Sequence, residues 1–234
     1  MKNFFVFLTI FFVFINLVIA KPQKTEKINI KNLQSKCQKS DFKACSDLGI
    51  LYFNGVNVDK NITMASEFFQ KACDGKNAIA CSNLALLYYT GNNVKQDILT
   101  AISLYEKACE FGEMKACVNM GIFYENGHGI SKNFDKALQF YDKACQNGEM
   151  NACHNAGHLV LTNKEPNYFI GKKFFEMACE KKYAKSCFNL AIMHFEGKGT
   201  RQNKQIAKEF YGKACDFGLQ MGCDKFKELN EAGI

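Results

Sequence analysis

Apolar and small residues recur three and four positions apart along most of the chain, in segments separated by short polar stretches. In residues 134–145 (FDKALQFYDKAC) the recurring set is Ala137, Phe140, Tyr141 and Ala144, with mainly polar side chains between them. Side chains spaced in this way lie on one face of an α-helix. The pattern therefore predicts an all-α protein.

The helical pattern repeats along the chain. A period of 36 residues separates the equivalent residues Cys45, Cys81, Cys117 and Cys153, and steps of 34 and 36 residues follow to Cys187 and Cys223. Repeats of this length stack side by side, because one repeat cannot bury its apolar face alone. We expect about twelve helices in residues 21–234, as five full repeats with a half-repeat at each end.

Each repeat contains signals for two helices. A glycine stops the first helix at Gly55, Gly91, Gly127 and Gly197. Side chains that cap a helix start precede the second helix at Asn61, Asp97, Asn133, Asn167 and Asn203. The two residues missing from the short repeat fall between its helices, in residues 162–167, so the cysteine spacing is unaffected.

All twelve cysteines fall into six pairs whose members are eight positions apart. On one continuous helix the members of a pair would lie about 12 Å apart, whereas a disulfide tolerates about 7 Å between α-carbons. A bond within a pair therefore requires the helix to break. Four pairs enclose a glycine suited to a left-handed turn after a helix end, at Gly75, Gly112, Gly148 and Gly218.

Other fates of the cysteines are bonds across one helical hairpin, zinc binding and reduced core thiols. A hairpin bond such as Cys45 with Cys73 would leave Cys37 and Cys223 unpaired, and zinc sites usually have shorter spacings. An even number of regularly spaced cysteines in an exported chain favours disulfides. We expect no metal site and the bonds Cys37–Cys45, Cys73–Cys81, Cys109–Cys117, Cys145–Cys153, Cys179–Cys187 and Cys215–Cys223.

The N-terminal segment is almost entirely apolar from residue 4 to residue 20, and a strongly polar sequence begins at Lys21. Lys2 before the apolar run and the small residues Val18 and Ala20 at its end are typical of a secretory signal peptide. The alternative is an uncleaved anchor, since the run is near the lower length limit for a bilayer span. We expect cleavage after residue 20 and a secreted or periplasmic protein that no membrane holds.

The charge of the chain argues against nucleic acid as a partner. The formal net charge of +7 comes from 30 basic and 23 acidic residues, without a basic cluster. Arg201 is the single arginine and tryptophan is absent, although the arginine fork and large stacking rings are the groups that read bases and phosphates.

The sequences LGILYFNG (48–55), MGIFYENGHGI (120–130) and LAIMHFEGKGT (190–200) resemble Sel1-like repeats. With cysteines at the junctions between hairpins, the chain resembles the Helicobacter cysteine-rich protein family. The resemblance implies a right-handed α-solenoid related to tetratricopeptide arrays. It also implies export, binding of a beta-lactam or peptidoglycan-like small molecule, and weak beta-lactamase activity. The fourth repeat departs from the pattern at Asn163 and Gly171.

Candidate catalytic residues are few, and no cofactor is expected. Serine beta-lactamases need a serine one helical turn before a lysine, and Ser40 with Lys43 has that spacing. The other motifs of such enzymes are missing, and an exposed turn between Cys37 and Cys45 is the alternative. His154 and His158, four apart on one predicted helix, could share a metal, but solvent-facing or locally hydrogen-bonded side chains explain them better. His194 occupies a column otherwise filled by tyrosines, which predicts packing.

A candidate binding surface comes from the second position after the second cysteine of each pair. This position is occupied by Asp47, Asn83, Asn119, Asn155 and Asn189. A side-chain amide can donate to and accept from a peptide backbone, and the resemblance places these helices on the concave face of the array. We therefore consider a scaffold that binds a peptide, an envelope component or a host protein. The alternative role of the asparagines is hydrogen bonding between neighbouring helices.

Overall fold

A computed structural model describes residues 29–92 and 94–234 of the chain. This part contains twelve helices and no strand, which confirms the predicted all-α fold. The predicted signal peptide lies outside the described residues. Among the residues that are described, none of the helices has the length and apolar character needed to cross a bilayer. The helices form two compact units that divide after Asp97.

The first unit contains four helices that pack in chain order. They are α1 (Ile30–Gln38), α2 (Phe42–Asn54), α3 (Ile62–Asp74) and α4 (Ala78–Thr90). Its core includes Leu48, Phe69 and Leu84, one from each of the last three helices, and all three side chains are buried.

The second unit contains eight helices, each of which packs on the next. They are α5 (Ile98–Glu110), α6 (Met114–Asn126), α7 (Phe134–Gln146), α8 (Met150–Thr162), α9 (Tyr168–Glu180), α10 (Ala184–Glu196), α11 (Lys204–Asp216) and α12 (Gln220–Glu231). The even-numbered helices α6 and α8 also contact each other. The repeat therefore buries its apolar faces against its neighbours, as stacked helical pairs must.

Small residues in the even-numbered helices make room for aromatic rings from the helices that follow. A Cβ atom added to Gly121 of α6 would lie 2.4 Å from the Tyr141 ring, and one added to Gly49 of α2 would lie 2.5 Å from the Phe69 ring. Both rings are fully buried. The recurring small residue therefore sets how closely the two helices of a hairpin approach.

The predicted helix ends are confirmed. The glycines Gly55, Gly91, Gly127 and Gly197 follow the last residue of α2, α4, α6 and α10 with φ between 68° and 74°. The side chains of Asn61, Asn133, Asn167 and Asn203 accept hydrogen bonds from backbone amides in the first turns of α3, α7, α9 and α11. Local sequence therefore determines where these helices begin and end.

All six disulfides join cysteines eight residues apart, as predicted. Their Cα–Cα distances are 4.5–4.8 Å, within the range that a disulfide requires. No free cysteine is present among the described residues. Each bond connects the last turn of one helix with the first turn of the next, so the alternative pairing across a hairpin does not occur.

The break between paired cysteines always falls at the third residue after the first cysteine. That residue has a positive φ in every pair, and it is Ser40, Lys76, Gly112, Gly148, Lys182 or Gly218. The prediction of a left-handed Gly75 is wrong, because its φ is −82° and the turn is made by Lys76. A Cβ atom on Gly75 would lie 2.0 Å from the Phe42 ring, so this glycine accommodates packing.

Replacing Lys182 by glycine is expected to stabilise the protein by about 0.5–1 kcal/mol. A non-glycine residue in the left-handed region costs about 1–2 kcal/mol, part of which the greater freedom of glycine in the unfolded chain offsets. Chemical denaturation at neutral pH measures the change. The matched control is Gly112→Ala, whose added Cβ meets no atom within 4 Å but retains the positive φ, so it should destabilise. An unchanged stability of Lys182→Gly would contradict the strain argument.

Candidate functional site

The candidate binding residues occupy one position on successive even-numbered helices, two residues after the cysteine that fixes the start of each helix. Asp47 of α2 and Asn83 of α4 lie in the first unit, and Asn119 of α6, Asn155 of α8 and Asn189 of α10 lie in the second. All five side chains are half-buried. A polar side chain in this setting is partly shielded from water, which strengthens any hydrogen bond that it makes.

Asn155 lies beside the hydroxyl of Tyr141. That hydroxyl donates a hydrogen bond to Oε2 of Glu125 at 2.6 Å. The three residues lie on α8, α7 and α6. Burial of the phenol, reinforced by the Glu125 carboxylate and opposed by the Asn155 side chain, raises the pKa of Tyr141 well above its ordinary value. Asn155 therefore has a polar neighbour on the preceding helix.

The other three asparagines are arranged differently. Within residues 29–92 and 94–234 the side chains of Asn83, Asn119 and Asn189 form no hydrogen bond with the protein. In the same part of the chain the only fully buried side-chain nitrogen or oxygen without a partner belongs to His194. The three amides therefore reach solvent, although the residues that carry them are half-buried.

Asp47 replaces the amide with a carboxyl group in the first unit. Burial raises the pKa of this carboxyl group, an effect that the charge of Lys43 opposes and that of Asp41 reinforces. Lys43 and Asp41 are both exposed. At this position α2 therefore presents an acidic acceptor, whereas α4, α6, α8 and α10 present amides.

The candidate catalytic pair lies in an exposed turn. Ser40 has a φ of 67° and precedes Asp41, the cap residue of α2, while Lys43 lies in the first turn of that helix. The serine is thus outside the helix, although the proposed chemistry needs both residues on one helical turn. Both side chains are exposed, so water reaches the pair freely.

His154 is a packed, neutral histidine. Its Nδ1 atom lies 3.0 Å from the hydroxyl of Ser186, and its ring contacts the rings of Phe175 and Tyr183. Burial, with smaller contributions from the charges of His158 and Lys185, lowers the pKa of His154 to about 3. The contact joins residues 32 positions apart, so the prediction of a solvent-facing or locally hydrogen-bonded side chain is wrong for His154. His158 is exposed, and the described part of the chain holds no cluster of three or more metal-ligating side chains.

His194 packs as the tyrosines of its column do. Its ring stacks on Phe210 with centroids 5.5 Å apart, and Tyr52 on Phe68 and Tyr124 on Phe140 form the same contact at 5.6 Å and 5.7 Å. Burial is the main cause that lowers the pKa of His194, helped by Lys172 and opposed by Glu176. The packing role predicted from the sequence is confirmed.

The repeats match the family model of the Sel1 repeat in five segments, residues 42–77, 78–112, 115–149, 151–183 and 184–218. These segments cover most of the chain, and the chain belongs to the Sel1 repeat family. The resemblance to Sel1-like repeats is thereby confirmed. Proteins of this family generally mediate protein–protein interactions.

One solved structure of a similar protein supports the fold, and two further similar proteins share sequence with the chain. A protective antigen of uropathogenic Escherichia coli strains with an SLR fold is 26% identical with a TM-score of 0.83, over 88% of this chain and 45% of the antigen. Helicobacter pylori cysteine rich protein B is 25% identical over 73% of this chain and 98% of its own length, with a TM-score of only 0.29. Cytochrome c oxidase assembly factor 7 of Xenopus tropicalis is 36% identical over 74 residues. The chain spans about a third of that curated relative, 32% of its length.

These comparisons give no support to beta-lactam binding or hydrolysis, which the resemblance to the Helicobacter family had implied. They support a disulfide-linked repeat protein of a family that generally binds other proteins. Six structural disulfides are typical of proteins that fold outside the reducing cytoplasm. The bonds therefore indicate an extracytoplasmic location.

Proposed function

We propose that the protein is a non-catalytic scaffold that binds an extended peptide segment along the asparagines of its second unit. The observation that carries the proposal is the pair Asn119 and Asn189, whose half-buried amides reach solvent at equivalent positions of α6 and α10. A half-buried polar group without a partner in the protein is available to a ligand. The half-buried setting also limits competition from water.

The chemistry of the amide suits a peptide backbone. An asparagine side chain offers two N–H donors and a carbonyl acceptor, which match the C=O and N–H groups of a peptide unit. Contacting helices such as α6 and α8 have axes about 8–10 Å apart, and an extended chain advances about 10 Å in three residues. Successive asparagines would therefore meet every third residue of an extended ligand.

Asn155 has different surroundings within the same row. Its side chain lies beside the Tyr141 hydroxyl, where α7 packs on α8. The row consequently combines two amides that have no such neighbour with one that lies against a buried phenol. This difference separates the effect of a substitution on binding from its effect on folding.

Asn119→Ala and Asn189→Ala are each expected to weaken binding about fivefold without changing thermal stability, since a net hydrogen bond contributes about 1 kcal/mol. Asn155→Ala is expected to lower the free energy of unfolding by about 1 kcal/mol, because it removes the polar side chain that lies beside the Tyr141 hydroxyl. The measurement is titration calorimetry with a peptide selected from a random library, together with thermal melts of each variant.

Asn126→Ala is the matched control, since Asn126 is exposed near the end of α6 and bonds only to the carbonyl oxygen of Ile122. Loss of stability in Asn119→Ala and Asn189→Ala with unchanged peptide affinity would contradict the proposal. Turnover of a chromogenic cephalosporin above the buffer rate would contradict the non-catalytic part of it.

A further inference from the structure

The short sequence Asn61-Ile62-Thr63 stands out at the start of α3. It is the single place in the chain where a serine or threonine follows two residues after an asparagine with no proline between. This triplet is the acceptor sequence for N-linked glycosylation. We propose that Asn61 accepts an N-linked oligosaccharide outside the cytoplasm.

The geometry of Asn61 leaves its reactive atom free. Asn61 is exposed, and Oδ1 of its side chain accepts a hydrogen bond from the backbone amide of Met64 at 3.0 Å. A glycan bonds to Nδ2 and leaves Oδ1 unchanged. The modified side chain can therefore still cap α3, so the modification removes no interaction of the folded protein.

The hydroxyl residue of the triplet, which a transferase must recognise, is accessible as well. Thr63 is exposed, and its backbone carbonyl, rather than its hydroxyl, bonds to Ser66. Ile62 is buried and anchors the helix start. Asp59, two residues before the acceptor, is exposed as well and adds a carboxylate to the segment that a transferase would meet.

The reaction needs one co-substrate, a lipid diphosphate-linked oligosaccharide. Nδ2 of Asn61 attacks the anomeric carbon of the sugar, so a nitrogen–carbon bond forms while the bond from that carbon to the diphosphate oxygen breaks. The lipid diphosphate leaves, and the amide nitrogen loses one proton to a base of the transferase. No oxidant or reductant takes part.

Equivalent asparagines in the same protein provide an internal comparison. Asn133 and Asn203 cap α7 and α11 with φ values of −148° and −152°, close to the −145° of Asn61. Both are exposed and also accept a backbone hydrogen bond. The second residue after each is Asp135 or Gln205 rather than a hydroxyl residue, so the proposal assigns the glycan to Asn61 alone.

A glycan at this position would not obstruct the cysteine-linked end of the helices. Asn61 and Cys73 lie at opposite ends of α3, which are about 18 Å apart at the rise of an α-helix. The candidate binding residue Asn83 of α4 lies two residues after Cys81, the bonded partner of Cys73. A glycan on Asn61 would therefore lie at the end of the helical pair opposite to Asn83.

The test is peptide mapping by mass spectrometry of the full chain isolated from its own cells. The expected result is an oligosaccharide mass on the peptide that contains Asn61 and unmodified peptides at Asn133 and Asn203. Thr63→Ala should abolish the modification without changing the melting temperature, and Thr63→Ser should retain it. An unmodified Asn61 in the wild-type protein would overturn the proposal, as would a modification that persists in Thr63→Ala.

One further variant uses the internal comparison. Asp135→Thr converts Asn133 into an acceptor triplet in the same cap geometry, and a second glycan there would support recognition through the triplet.

Discussion

Full reduction of the six disulfides is expected to unfold the protein at room temperature. Each bond closes a ring of nine residues, which stabilises a folded chain by about 2.5 kcal/mol in the chain-entropy account. Together the six amount to about 15 kcal/mol, as much as the whole free energy of unfolding of a typical domain. Circular dichroism of the protein before and after reduction and alkylation of its thiols measures the change. Retained helix content and an unchanged melting temperature would contradict this expectation.

We expect the six disulfides to be reduced at different rates. Ten of the cysteines are buried, each with 6% exposure or less, whereas Cys215 and Cys223 are half-buried where α11 joins α12. A thiol reductant must reach a sulfur atom in order to attack it. Brief treatment with a low reductant concentration followed by alkylation should therefore label Cys215 and Cys223 first. Removing this pair by serine substitution provides the control, since that variant should resist early labelling.

Acidification is expected to destabilise the second unit through His154. Burial lowers the pKa of His154 to about 3 in the folded protein, whereas an unfolded histidine has a pKa of about 6.5. The folded state therefore excludes a proton that the unfolded state binds below pH 6.5. The stability associated with the neutral ring is present above pH 6.5 and is lost as the pH falls toward 3. Between pH 7 and pH 4 the loss should reach about 3 kcal/mol.

The matched variant is His154→Val, because Val118 occupies the same position in α6. Urea denaturation of both proteins at pH 7 and pH 4 measures the expected difference. Carboxylates titrate in the same range in wild type and variant, so the difference between the two pH dependences isolates His154. His158, Lys185 and Tyr183 surround the ring and are unchanged in the variant. Equal pH dependences of the two proteins would show that the ring is not held neutral.

Features encoded over a few residues were predictable from the sequence. Helix starts at Asn61 or Asn133 and helix ends at Gly55 or Gly127 depend on side chains and backbone angles within one turn. The disulfide pairing was predictable for a related reason. A bond between cysteines eight residues apart excludes a continuous helix between them. Pairing each cysteine with the one eight residues away uses all twelve.

Features that depend on contacts between helices were not predictable in the same way. Gly75 has the residue type of a left-handed turn, yet the Phe42 ring determines its role. Likewise Asn155 has the same spacing as Asn119, but Asn155 is the one that lies beside the Tyr141 hydroxyl. The low pKa of His154 arises mainly from burial, and the rings of Phe175 and Tyr183 that pack on it come from other helices or loops. The recurrence of a residue type from repeat to repeat identifies equivalent positions. It does not reveal which side chain from another helix each of these positions contacts.

The nine-residue rings also bear on how a chain with twelve cysteines avoids mispairing in an oxidising compartment. In every ring the partner of a cysteine is the nearest cysteine along the chain, and the reversal between them is made by a single residue. Each bond can therefore close as soon as its own short segment has reached that compartment, before the following repeat emerges. Vectorial emergence of the polypeptide would then select the native connectivity in sequence, without a search among distant thiols.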